Sequence, residues 1–114
     1  MKAIIKKNGR VLSENTIIAR SLSERILGLM FKDIIKPEES LLIEPCNSIH
    51  TCFMRFPIDV IFLSKSNQVV HFVREMKPWR FSSIYLKSKK VLEMKAGSIG
   101  DDLSNGDLLE FIDV

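Results

Sequence analysis

The chain has 114 residues, 46% of them hydrophobic and 27% charged, with a formal net charge of +3. That length supports one domain with one core, and the composition excludes disorder, collagen and coiled coil. No apolar run approaches a membrane span, and residues 1–6 lack a signal-peptide apolar core, so a cytoplasmic location is expected.

Residues 3–5 and 11–12 flank Asn8-Gly9 and read as a hairpin, with a type I′ turn supplied by the Asn-Gly pair. Residues 16–19 read as a further strand. Ser21 and Glu24 fit a capping box, and Leu22, Ile26, Leu29 and Met30 recur at helical spacing. This pattern predicts one main short helix over 22–32. Beyond Pro37 the cues turn to strands over 40–44 and 49–54. The apolar run 58–63 predicts a central strand covered on both faces. Residues 64–68 read as a polar turn and 69–74 as the return strand of a hairpin. Residues 75–89, holding Pro78 and Trp79, suit a long surface loop. Strands at 90–94 and 107–112, with Asn105-Gly106 as a tight turn, complete the set. The expected fold is α+β and predominantly β: one domain over 1–114, with a strongly curled or barrel-like antiparallel or mixed sheet.

Charge is unevenly spread. From Glu93 onward the net charge is −5, against +8 for the residues before it. A basic body attracts nucleic acid, nucleotides or anionic lipid, unless the acidic C-terminal stretch pairs back onto it.

The densest group of chemically useful residues runs from Cys46 to Asp59. On a strand, side chains alternate, so His50, Cys52 and Met54 would share one face. Cys46, His50 and Cys52 offer three ligands of the kind zinc accepts, but the fourth is missing and no cofactor is expected. Two cysteines on one straight strand would stand about 20 Å apart, so both are expected as free thiols. His50 could serve as a general base with Asp59 orienting it. Asp59 opens an apolar strand, where a carboxylate needs a partner, with Arg55 or a backbone amide the ordinary choice. A second group, from Arg74 to Lys90, interleaves bases with Trp79, Phe81 and Tyr85, a pattern suited to stacking and anion contact. Nucleotide-binding glycine loops, the P-loop, the nucleophile elbow and the H-E-x-x-H motif are all absent from the sequence.

Four ordered blocks also carry a resemblance. Glu24-Arg25-Ile26-Leu27-Gly28-Leu29-Met30-Phe31-Lys32 resembles the E-R-x-x-G-L-M-x-R block of the uncharacterised prokaryotic DUF192 family. The run from Ile49 to Leu63 is similar to that family's I-H-T-x-x-M-x-x-P-I-D-V-x-F-L branch. Lys77-Pro78-Trp79-Arg80 and Val91-Leu92-Glu93-Met94-Lys95-Ala96-Gly97 follow in order, then Gly106-Asp107. Lys32, Ser64 and Met94-Lys95 depart from the family pattern. The resemblance implies a compact, mostly β domain with a small helix and no established activity.

Together these readings place His50, Thr51, Met54, Arg55, Asp59, Trp79, Arg80 and Glu93 around one pocket or groove, because polar groups within apolar strands must find partners. The expected function is a small non-enzymatic binding module for an anionic small ligand or a protein partner, with Arg55 and Arg80 as anion contacts and Trp79 as a stacking plate. The alternatives are a hydrolase-like or metal-assisted enzyme using His50 and Asp59, and nucleic-acid binding by the basic surface.

Overall fold

The computed structural model describes residues 1–20 and 35–113. Among the described residues the fold is all β. The strands are β1 (Lys2–Ile5), β2 (Val11–Ser13), β3 (Asn15–Ala19), β4 (Glu39–Ile43), β5 (Ile58–Leu63), β6 (Val69–Met76), β7 (Lys90–Lys95) and β8 (Leu109–Ile112). They form two sheets, one ordered β2-β1-β8 and one ordered β3-β4-β7-β5-β6. β3 and β4 run parallel, and every other pairing is antiparallel.

The expectation of an α+β fold with one curled or barrel-like sheet is overturned. Closing the larger sheet would bring its edge strands β3 and β6 together, yet they stand at opposite ends of the strand order. Both sheets are open, and they bury apolar surface by stacking instead. No helix occurs among the described residues, and the helix expected over 22–32 lies outside them.

Period-two alternation explains the layering. Ile61 and Leu63 of β5, with Leu42, Leu92 and Met94, meet Ala3, Ile5, Leu12 and Leu109 of the smaller sheet in a shared core. Ile58, Val60 and Phe62 point the other way, into a second layer with Met54, Met76 and Val91. All six residues of β5 are therefore buried, Asp59 included, as the nearly continuous apolar run predicts. Each such aliphatic or aromatic side chain contributes roughly 1.5–3 kcal/mol on burial.

The first hairpin forms, but not around a type I′ turn. Gly9 has φ 73°, whereas Asn8 is not among the residues with positive φ. The Gly9 amide donates to the Ile5 carbonyl at 2.8 Å, and the Ile5 amide to the Arg10 carbonyl at 2.9 Å. Asn8 closes the loop through its side chain, whose Oδ1 accepts from the Arg10 amide at 3.0 Å. The acidic C-terminal stretch does fold back onto the basic body, with Arg10 on Asp102 at 2.5 Å and Lys7 on Asp107 at 2.8 Å.

Residues 49–54 do not form the expected strand; there, only His50 makes a bridge, to Phe81. The chain turns at Thr51, whose carbonyl accepts from the Met54 amide at 3.2 Å. Phe53, the third residue of that turn, has φ 68°. This left-handed geometry ends the extended run.

Candidate functional site

Thr51 organises the surface that carries most of the predicted residues. It is fully buried, and its backbone amide donates to the Arg80 carbonyl at 2.9 Å. Its carbonyl also accepts from the Trp79 amide at 3.0 Å. Its hydroxyl donates to the Lys77 carbonyl at 2.6 Å and accepts from the Arg80 amide at 2.9 Å. One threonine thus latches residues 77–80 onto the turn at 51–54. The pairing continues along the chain, with the Ser82 amide on the Ile49 carbonyl and the Tyr85 amide on the Asn47 carbonyl, both at 2.9 Å. Tyr85 anchors the ribbon from beneath, its ring 4.6 Å from both Phe62 and His71.

The outer side of this ribbon is apolar and cationic. Phe53, Trp79, Phe81, Ile84 and Leu86 are each more than half exposed, Leu86 at 80%. The Phe53 and Trp79 rings lie 4.7 Å apart, and both residues hold left-handed backbone, with φ 68° and 64°. Such backbone costs a bulky residue of order 1–3 kcal/mol and persists only where its surroundings enforce it. Arg55, Lys77, Arg80 and Lys87 are exposed along the same two segments. His50 is exposed too, its ring 6.0 Å from Phe81 and its Nδ1 accepting from the Cys52 amide at 3.3 Å.

The structure therefore brings His50, Thr51, Trp79 and Arg80 together. Met54, Asp59 and Glu93 lie elsewhere. Met54 is buried in the apolar layer under the ribbon. Asp59 shares the parity of Ile61 and Leu63, so it faces the inter-sheet core while His50 sits beyond the opposite face. Its Oδ1 accepts from the Glu75 amide at 2.8 Å, and its Oδ2 from the Gly97 and Ile99 amides at 3.0 and 2.9 Å. The first of these amides is released by a bulge, where Arg74 and Glu75 together oppose Asp59 between the Ile58–Met76 and Val60–Val73 pairs. Asp59 thus meets the need for a partner through amides rather than through His50.

Glu93 lies on β7 opposite Val60 and Leu41, on the face of the second apolar layer. It is 5% exposed and, among the described residues, has no hydrogen-bond or ion-pair partner. Burial without compensation pushes its carboxyl up to about 7. Two surface carboxyls shift the other way: the Arg10 guanidinium holds Asp102 well below the usual range, and Lys7 lowers Asp107.

Cys46 and Cys52 are free thiols, and Cys46 Sγ donates to the Ser48 carbonyl at 3.0 Å. Among the described residues no three His, Cys, Asp or Glu side chains converge as a metal site would require.

Sequence reasoning missed a groove altogether. A cavity of about 440 Å³ is lined by Arg20, Glu44, Pro45, Lys65, Lys89 and Lys90. A smaller one of about 190 Å³ adjoins it through Pro45 and Lys89. The larger one's residues come from four separate stretches of chain, so no local motif marks them. The exposed Phe53, Ile84 and Leu86 also went unread, although the bases interleaved with aromatics after Arg74 pointed to that segment.

A family model, DUF192, described as an uncharacterized ACR, matches residues 3–111. A UPF0127 protein of Pyrococcus furiosus is 34% identical over 110 residues, covering 90% of this chain and 91% of its own. A UPF0127 protein of Thermococcus sibiricus is 35% identical over 117 residues, covering 96% of this chain and 72% of its own. Among solved structures, a protein of unknown function from Novosphingobium aromaticivorans superposes with a TM-score of 0.77 at 20% identity. That likeness covers 96% of this chain and 82% of the other, and it concerns the fold.

Proposed function

This chain belongs to the DUF192 family, and from the surface it carries we propose that it is a binding module whose latched ribbon docks an acidic, apolar segment of a protein partner. The observation that carries this reading is the set of Phe53, Trp79, Phe81, Ile84 and Leu86, all more than half exposed on loops tied down through Thr51. Leaving large apolar side chains in water forgoes about 25 cal/mol per Å² of burial, and contiguous patches of them mark interaction surfaces. Trp, Phe and Arg are also the residue types enriched at protein interfaces, and Trp and Arg lead among the side chains that dominate binding energy.

Charge selects the partner's chemistry. Lys77, Arg80 and Lys87 interrupt the apolar side chains, so acidic residues between apolar ones would complement them. A protein segment suits this place because large apolar side chains beside arginine and lysine, more than half exposed, are the kind of anchors that protein interfaces bury.

The test places a photoreactive phenylalanine analogue at position 81 and, as a control, at the exposed position 17 on β3. Crosslinking in extract of the source cells should yield a discrete protein adduct at 81 that is absent at 17 and lost with Arg80→Ala. The same adduct at both positions, or one indifferent to Arg80→Ala, overturns the reading. So does an adduct made only of nucleic acid or of a second copy of this chain.

A further inference from the structure

We propose that the groove between Arg20, Glu44, Lys65, Lys89 and Lys90 is a second, separate binding site, and that it takes a phosphate-type oxyanion. It shares no residue with the aromatic ribbon surface, so either assignment can fail alone.

Strand order creates the groove. Ala19 pairs with Ile43, Ile43 with Val91, and Lys90 with Leu63. The carboxyl ends of β3, β4 and β5 and the start of β7 therefore meet at one end of the larger sheet. The residues that leave these ends are Arg20, Glu44-Pro45 and Lys65, with Lys89-Lys90 entering β7. The wall is fixed by backbone: the Cys46 amide donates to the Lys89 carbonyl at 3.0 Å, and the Lys89 amide to the Leu63 carbonyl at 2.8 Å. Small-ligand sites occupy about 300–1,000 Å³, and 440 Å³ falls in that range.

Among the described residues, four cationic side chains line this space against one carboxylate. Glu44 is engaged with two of them, its Oε1 2.8 Å from Arg20 Nε and its Oε2 4.0 Å from Lys90 Nζ. Lys90, whose side chain is 20% exposed, is oriented by a 2.7 Å hydrogen bond to Asn67 Oδ1. An ammonium has three donors, and an arginine held by Nε keeps both terminal nitrogens for a forked contact. Lys65 and Lys89 have no carboxylate partner among the described residues. Among the described residues the groove thus holds more positive charge and more N–H donors than its acceptors satisfy. A multiply charged oxyanion supplies acceptors in that ratio, and a carboxylate of one charge supplies fewer.

Amide chemical shifts of the whole chain, titrated at constant ionic strength, test the assignment. The probes are inorganic phosphate and phenyl phosphate. Saturable shifts should appear at Lys65, Lys89 and Lys90, and the double change Lys65→Gln with Lys89→Gln should weaken binding at least tenfold. Lys6→Gln, on the other sheet, should leave affinity unaltered. Tighter binding of phenyl phosphate would identify an esterified phosphate as the ligand, and equal binding a free one. Shifts that scatter over lysines throughout the chain without saturating overturn the proposal. Unchanged affinity in the double variant does the same, and both variants replace exposed or half-exposed side chains, so the fold should persist for the measurement.

Discussion

Asp59 and Glu93, two buried carboxylates on adjacent strands, point to opposite faces of one sheet. Glu93 is paired across the ladder with Val60, one residue out of phase with Asp59. That single step decides their chemistry. Asp59 faces the side where a bulge and a turn present free amides, and it accepts three of them. Glu93 faces an apolar layer without a partner among the described residues, and its carboxyl is pushed up to about 7.

Glu93 should make stability depend on pH in a direction opposite to most carboxylates. The folded state holds the proton up to about 7, whereas an unfolded glutamate loses it near its ordinary value of 4.5. Between those values the native state binds more protons, so stability falls as pH rises and then levels off above the folded value. Glu93→Gln, which mimics the protonated form, should match the wild type near pH 4.5. At pH 8 it should be more stable by up to about 3 kcal/mol. Urea unfolding at the two pH values measures the difference, and equal shifts at both would contradict it.

Asp59→Asn keeps the shape but offers one acceptor oxygen where three amides converge. Leaving buried donors unpaired costs about 1–3 kcal/mol each, so a loss of roughly 3–5 kcal/mol is expected in chemical denaturation. His50→Ala, at an exposed site, should change stability by less than about 0.5 kcal/mol. Comparable losses for the two would mean that they act together after all.

Thr51→Val removes the hydroxyl while keeping the volume. It forfeits the bonds to the Lys77 carbonyl and the Arg80 amide in a buried place, at a cost of about 2–3 kcal/mol. Because Trp79 is the only tryptophan and is latched through Thr51, its emission should report the release directly. An unaltered spectrum with unaltered stability would show that the latch does not hold the ribbon.

Much of the fold was legible locally. The nearly continuous apolar run of β5, the hairpin it forms with β6 and the pairing of β1 with β2 follow from alternation and turn residues. The same alternation failed over 49–54, where it grouped His50, Cys52 and Met54 on one face. Positive φ at Phe53 breaks the period, and nothing about a phenylalanine announces that conformation. The candidate site divided in the same way. His50, Thr51, Trp79 and Arg80 do converge, since Thr51 is a buried polar residue whose groups had to be satisfied across the loops. Met54 and Glu93 instead face the second apolar layer and Asp59 the inter-sheet core, because the turn at 51–54 and strand parity decide which face each one takes.

What the sequence by itself determined is the family, the strand-rich character and the need of Asp59 for a compensating partner, because these rest on ordered motifs and on the chemistry of neighbouring residues. The tertiary structure alone decided that two open sheets replace a curled one, that Glu93 is buried without a partner among the described residues, and that Arg20, Glu44, Lys65 and Lys90 share a groove. The reason is physical. Local periodicity sets which face a side chain takes, whereas what it meets there depends on pairings between strands far apart in the chain.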